Sequence, residues 1–203
     1  EAVNFAIHTK KGNTPRGHDH RSRWSEMLDT ATSNTGTMET GPMFNMARDS
    51  MRSIGVEGAP DAFSPEEVST FSARTKGAML FEDSLGVCRF NTRTDMPHLT
   101  KAVNGVTGWD MDEEEAMDVG RRTTNLLRAF NIRHGIDPKL DAPSTRYGSS
   151  PLDGPAAGVS VQPVWDEMLA NYYGLLGWGE NGVPKRKTLE RLGLSNVADD
   201  LGV

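Results

Sequence analysis

One run limits the fold more than any other: MDEEEAMDVGRRTTNLLRAFNIRHG, Met111–Gly135. Ala116, Val119, Thr123, Leu126, Leu127 and Phe130 recur at helical spacing and predict a single apolar stripe. Asp110 is the expected N-cap, with Glu113 closing a capping box. Acids crowd the first turn, Arg128 lies toward the end, and Arg133 and His134 follow before Gly135 stops the helix. That charge order complements the helix dipole. A stripe this long has to be covered by other elements, and the remaining sequence supplies mostly helices to cover it.

A short helix is expected over Trp24–Thr32, where Trp24, Leu28 and Ala31 share a face, until SNTGTMETGP breaks it. SPEEV gives the next start, with Ser64 as N-cap, Pro65 at the first helical position and Glu67 closing a box. Val68, Phe71, Thr75, Ala78 and Met79 carry that face onward toward EDSLGVCRF. The Pro/Gly-rich stretch from Ile136 to Ser160 reads as an ordered surface loop. A helix follows Pro163 with Trp165, Met168, Leu169, Tyr172 and Leu176 inward, and Pro184 opens a last one that Gly193 closes. Strand is expected only at the start, where Val3, Phe5 and Ile7 alternate with Asn4, Ala6 and His8. The fold class is therefore all-α and multihelical, with little strand. A strand without a lead-in, and no initiator methionine, make residues 1–203 read as one helical domain of a longer chain, with residues 1–12 continuing from a preceding domain.

Bulk properties remove several classes of function. The 203 residues carry a net charge of −6 with scattered basic residues, so no nucleic-acid footprint is expected. No apolar run approaches the ~20 residues of a membrane span, and no signal peptide is visible at EAVNFAIHTKKG. The single cysteine, Cys88, excludes an internal disulfide framework and fits a reducing cytoplasmic setting.

That cysteine is also the first candidate for chemistry. A lone cysteine is most often a small buried hydrophobe. No base-bearing nucleophile motif surrounds this one, and one thiolate cannot hold an iron–sulfur cluster that takes four. Cys88 is thus either inert or a ligand whose companions lie elsewhere. Asp83 precedes it in a D-x-x-G-x-C pattern, and Gly86 lets backbone approach a flat partner. An ionised aspartate and exposed amides suit an N–H-rich heterocycle such as a pterin. A second candidate is PRGHDHR, in which His18 and His20 lie between Arg16 and Arg21. It reads as a solvated basic loop or as an anion or proton-relay site, since histidine titrates near neutrality. His98 and His134 read as surface or helix-end residues, and Asp112–Glu115 as the solvated first turn of a helix.

Taken together, DSLGVC at Asp83–Cys88, RRTTNLLRAFNIRHGIDPKLDAPSTR at Arg121–Arg146 and MLANYYGLLGWGENGVPKRKTLERLGL at Met168–Leu194 resemble the C-terminal region of the aldehyde:ferredoxin oxidoreductase family of tungsten-pterin enzymes. The resemblance runs over nearly the whole chain, in order. It implies a bis-pterin tungsten cofactor, with molybdenum as the alternative metal, and a [4Fe–4S] cluster. Asp83 would bind a pterin ring, backbone through Gly86, Val87 and Arg89 would line the cofactor, and Cys88 would be the fourth cluster ligand. The other three cysteines and most of the pterin cradle would lie upstream.

The segment ATSNTGTMETG, Ala31–Gly41, resembles a family loop that carries a histidine near the metal, and here that position holds Glu39. A carboxyl can exchange protons there if an apolar site raises its pKa, and His18 or His20 could supply the proton instead. The implied activity is oxidation of an aldehyde or related acyl substrate to a carboxylic acid. Ferredoxin or another electron-carrier subunit would accept the electrons, in a homo- or hetero-oligomer. A tungsten-containing benzoyl-CoA reductase of the same family is the alternative enzyme, and a helical scaffold without cofactors is the alternative outside catalysis.

Overall fold

The computed structural model describes residues 5–15, 17–36 and 46–203. Helices run in the order α1 (Trp24–Thr32), α2 (Arg48–Ser53), α3 (Pro65–Thr75), α4 (Ala78–Ser84) and α5 (Arg89–Thr92). They continue with α6 (Met96–Thr107), α7 (Glu113–Arg133), α8 (Trp165–Leu176), α9 (Arg186–Arg191) and α10 (Ser195–Leu201). Among the described residues there is no strand, only isolated bridges pairing Thr9 with Pro143 and Trp178 with Pro184. The expected all-α class holds.

The local chemistry explains the boundaries. Pro65 opens α3 and the Ser64 hydroxyl accepts from the Glu67 N–H at 3.3 Å, while the Glu67 carboxylate turns to the Asp61 N–H at 2.8 Å. Half of the expected box therefore forms. In α7 the box is complete but lies two residues later than expected, on Asp112 and Glu115 rather than Asp110 and Glu113. The cause is Asn104. Its side chain accepts from the Met111 N–H at 2.9 Å and donates to the Met111 carbonyl at 2.8 Å, which holds Met111 out of the helix.

The buried face of α7 also differs from the expected stripe. Ala116 lies on it, but Met117, Gly120, Thr124, Asn125, Arg128 and Ala129 complete it, while Leu126 and Phe130 are half exposed. Two features turn the helix. Gly120 packs on Gly77 so closely that a Cβ there would lie 1.9 Å from the Gly77 carbonyl oxygen. Asn125 and Arg128 enter the core as well-partnered polar groups, Asn125 accepting from the Trp178 indole at 2.9 Å. Polar residues with buried partners outweigh the periodicity of exposed leucines.

Three apolar clusters hold the helices together. The first gathers Trp24, Leu28, Val68, Trp165, Tyr172 and Trp178 between α1, α3 and α8. The second gathers Phe71, Phe81, Met96, Leu99, Ala116 and Met117 between α3, α4, α6 and α7. The third packs Ala129 of α7 on Leu189, Leu192 and Val197 of the C-terminal helices. Helix α3 contributes Val68 to the first cluster and Phe71 to the second, so it is the shared wall.

A buried polar hub joins distant segments. Asp141 receives Lys11 Nζ at 2.7 Å, Arg128 at 2.7 Å and the Tyr173 hydroxyl at 2.6 Å. Arg128 also stacks 4.8 Å from the Trp178 ring and donates to the Gly182 carbonyl at 3.0 Å. Burial raises the Tyr173 pKa, and the Asp141 charge adds to it, so the phenol stays a donor. Because Lys11 is drawn into this hub, the segment before it follows the 142–144 loop instead of forming a strand. Lys10 N–H bonds the Ala142 carbonyl at 2.7 Å and Ser144 N–H bonds the His8 carbonyl at 2.8 Å. The expected alternation fails over its described part: Phe5 is 79% and Ile7 43% exposed. Residues 1–4 lie outside the described residues. The loop from Ile136 to Ser160 is ordered, as expected, and carries only one short 3-10 turn, Pro138–Leu140.

Candidate functional site

The Asp83–Arg89 loop is built on a buried carboxylate that sequence reading missed. Glu82 is fully buried and accepts from the Thr94 N–H at 2.9 Å, the Thr94 hydroxyl at 2.8 Å and the Thr92 hydroxyl. This clamps the end of α4 to the chain after α5. Arg93 and Thr94 both adopt φ 51°, a left-handed conformation that a β-branched residue rarely takes, and the Glu82 contacts hold it. The signal was present as an acid one residue past Phe81 on the buried face of α4, but its partners lie more than a helix turn downstream.

On that base, Leu85 and Gly86 (φ 68°) turn the chain and Cys88 becomes the N-cap residue of α5. Cys88 is exposed, as are Asp83, Gly86 and Val87. Nothing lies within 4 Å of a Cβ built on Gly86, so its backbone is open to approach. Arg89 folds back and its guanidinium meets both Asp83 oxygens at 2.8 Å, with Met79 Sδ 3.6 Å away. Phe90 beside them is 82% exposed. The loop thus presents a thiol, a carboxylate, bare backbone and an aromatic ring on one surface. The cysteine is not the buried hydrophobe that a lone thiol usually is.

This surface fits the implied cofactors as one part of their cradle. An accessible thiol is the donor a cluster takes, and a carboxylate with lone pairs beyond its arginine contact suits a pterin edge. One cysteine among 203 residues supplies one thiolate, so the remaining donors would have to come from outside this sequence.

The histidine loop forms a separate constellation. His18 and His20 are brought together with Glu26 of α1, whose Oε2 lies 3.1 Å from His18 Nδ1 and 3.0 Å from His20 Nε2. Arg23 reaches the other carboxylate oxygen at 2.9 Å. His20 is 2% exposed, and its Nδ1 meets the Tyr147 hydroxyl at 2.5 Å. Burial pushes the Glu26 carboxyl up, but the His20 ring, Arg23 and His18 arrayed against it outweigh burial and hold it at about 2. Burial pushes the Tyr147 phenol up, leaving it protonated.

Glu26 and Tyr147 went unread in the sequence. Every residue of α1 from Trp24 to Thr32 is buried in the structure, polar ones included, whereas the sequence shows only a three-residue apolar pattern there. Tyr147 packs in the first cluster with α1, whereas Phe81 beneath the cysteine loop belongs to the second. The structure therefore brings the two histidines together, and Asp83 with Arg89, on different parts of the core. Glu39 lies outside the described residues. His98 and His134 are exposed at helix ends, as expected.

The family model "Aldehyde ferredoxin oxidoreductase, domains 2 & 3" matches residues 1–194. The tungsten-containing aldehyde ferredoxin oxidoreductase of Pyrococcus furiosus is 32% identical over 188 residues, covering 88% of this chain and 29% of that protein. The enzyme of the same name from Thermococcus kodakarensis is 30% identical over 94% of this chain and 31% of its own length. The chain therefore spans less than a third of the relatives it matches. Among solved structures, the active site complex BamBC of benzoyl coenzyme A reductase with 1,5-dienoyl-CoA shares the fold at TM-score 0.54 and 23% identity, over 72% of this chain and 22% of that one. No helix among the described residues is long and apolar enough to cross a membrane. With the helical architecture, the thiol-bearing loop and a family match over nearly its whole length, the chain belongs to the aldehyde ferredoxin oxidoreductase family, in the region of its domains 2 and 3.

Proposed function

We propose that these residues form the helical, cofactor-contacting part of a tungstopterin and [4Fe–4S] oxidoreductase that converts aldehydes to carboxylic acids and passes electrons to ferredoxin or another carrier subunit. The observation that carries this reading is the exposed thiol and carboxylate of Cys88 and Asp83, held on one loop by the buried Glu82 clamp. When bound, the tungsten centre and cluster supply the two-electron and one-electron steps. The chain's own residues bind and orient. Cys88 would ligate the cluster, Asp83, its rotamer fixed by Arg89, would accept from the pterin edge, and the backbone of Gly86 and Val87 would line the cofactor. Glu39, or else His18 or His20, would move the substrate proton.

In the full-length protein, Cys88→Ser removes one thiolate of four. The expected outcome is loss of iron and an altered or absent cluster EPR signal, with tungsten retained. Iron content and EPR identical to the parent would overturn the assignment. A second reading, reduction of an aromatic acyl-CoA thioester, shares the helical fold with the benzoyl coenzyme A reductase complex. Assaying the full-length protein with aldehydes and with an aromatic acyl-CoA separates the two.

A further inference from the structure

The geometry points to a divalent metal site of zinc-like chemistry at His18, His20 and Glu26, separate from the tungstopterin and cluster and independent of whether those are assigned correctly. Three donor atoms, two imidazole nitrogens and one carboxylate oxygen, lie within 4.8 Å of one another. The two nitrogens stand 3.1 and 3.0 Å from the same oxygen. A tetrahedral ion with bonds of about 2.0–2.1 Å sets its donors slightly further apart than this, so small side-chain rotations admit one.

The second observation is an orphan. His20 Nε2 is buried and has no aligned hydrogen-bond partner, since its approach to Glu26 is close in distance but off-line in direction. The nearby Glu26 charge offsets only part of the desolvation cost of a buried ring nitrogen that makes no aligned hydrogen bond. A metal ion in front of it removes that cost. The rest of the arrangement is what a ligand set requires from its surroundings. The other nitrogen of His20 is fixed by the Tyr147 hydroxyl at 2.5 Å, and the other oxygen of Glu26 by Arg23 at 2.9 Å. Such outer contacts orient the ring and the carboxylate of metal ligands.

Asp19 is not a fourth ligand, because Arg21 engages both of its oxygens at 2.6–3.2 Å. Arg23 also lies 3.3 Å from His18 Nδ1, so binding requires the His18 ring to turn from the guanidinium toward the metal. It has room to do so. Its side chain is 52% exposed, on a cavity of about 320 Å³ lined also by Thr14, Pro15 and Tyr147. The fourth position faces that cavity and takes water or an exchangeable small anion. Three protein donors with an open position match the composition of an exchangeable zinc site rather than a closed structural one.

The test is zinc binding by full-length protein stripped with a chelator, read by competition with a chromophoric zinc indicator and by elemental analysis. One zinc per chain is expected. Tyr147→Phe should weaken it about 10–100-fold by freeing the His20 ring. His20 and Glu26 are buried, and their variants risk misfolding, so His18→Gln at the half-exposed position is the deciding variant. It should lower zinc affinity by more than Tyr147→Phe does, with an unchanged circular dichroism spectrum. Zinc affinity equal in parent and His18→Gln, or no zinc bound by the parent, would sink the proposal. Neither result bears on Cys88, whose readout is iron.

Discussion

Asp118 sits where α7 meets α9, 2.5 Å from Arg191 and 3.0 Å from Arg121. Burial pushes its carboxyl up, but the two guanidinium groups outweigh that and hold it below the ordinary value of 3.8. A depressed folded-state pKa means the unfolded chain binds the proton more readily. The stabilisation is therefore complete above the ordinary aspartate range and is lost as pH falls through the lowered folded-state value. Thermal melts of the full-length protein from neutral pH into acid should show Asp118→Asn losing less stability on acidification than the parent. Identical acid slopes would remove Asp118 from that behaviour. At this scale the sequence was legible where partners are near neighbours. Asp83, Gly86 and Cys88 could be placed together on one loop because their spacing is local. Glu26 was not, since one of the residues completing its site, Tyr147, stands 127 positions from the His20 it holds. Glu82 failed for a gentler version of the same reason: an acid beside another acid reads as surface until its threonines fold back onto it.

The contact of α4 with α7 turns on hydrogen atoms in place of side chains. Gly77 and Gly120 meet backbone to backbone, and a Cβ on Gly120 would also lie 2.5 Å from the Gly77 carbonyl carbon. Gly120→Ala should destabilise the protein by about 1–3 kcal/mol, the usual cost of overpacking, although alanine is the better helix former. A denaturant midpoint at or above that of the parent would show that the two helices can separate at no cost. Large apolar residues at helical spacing made helices readable even without a side-chain cap: α1 was placed to the residue and α8 nearly so. The run through Val68 to Met79 was read as one face, yet it is two helices, because Gly77 at φ 111° turns the chain to meet α7. Helices α2, α6 and α10 escaped notice. Their apolar faces are short, and α6 draws its order from Asp95 capping the His98 N–H at 3.3 Å and from burial of Met96 and Leu99.

The whole molecule depends on Asp141, because its carboxylate is where Lys11, α7 and α8 converge. Asp141→Asn removes the negative charge that Arg128 and Lys11 share, and leaves the Arg128 guanidinium buried beside a neutral amide. Breaking a buried pair this way costs about 3–5 kcal/mol, and the unfolding midpoint of the full-length protein measures it. A loss below about 1 kcal/mol would mean the hub is no stronger than a surface pair. The same contact has a consequence in time. Lys11 is separated by 130 positions from the aspartate that holds it. At about 5–20 residues per second of translation, the early segment waits on the order of ten seconds for its partner to emerge. During that interval nearer groups such as the Ser33 carbonyl, 2.6 Å from the same ammonium, are made long before its carboxylate is.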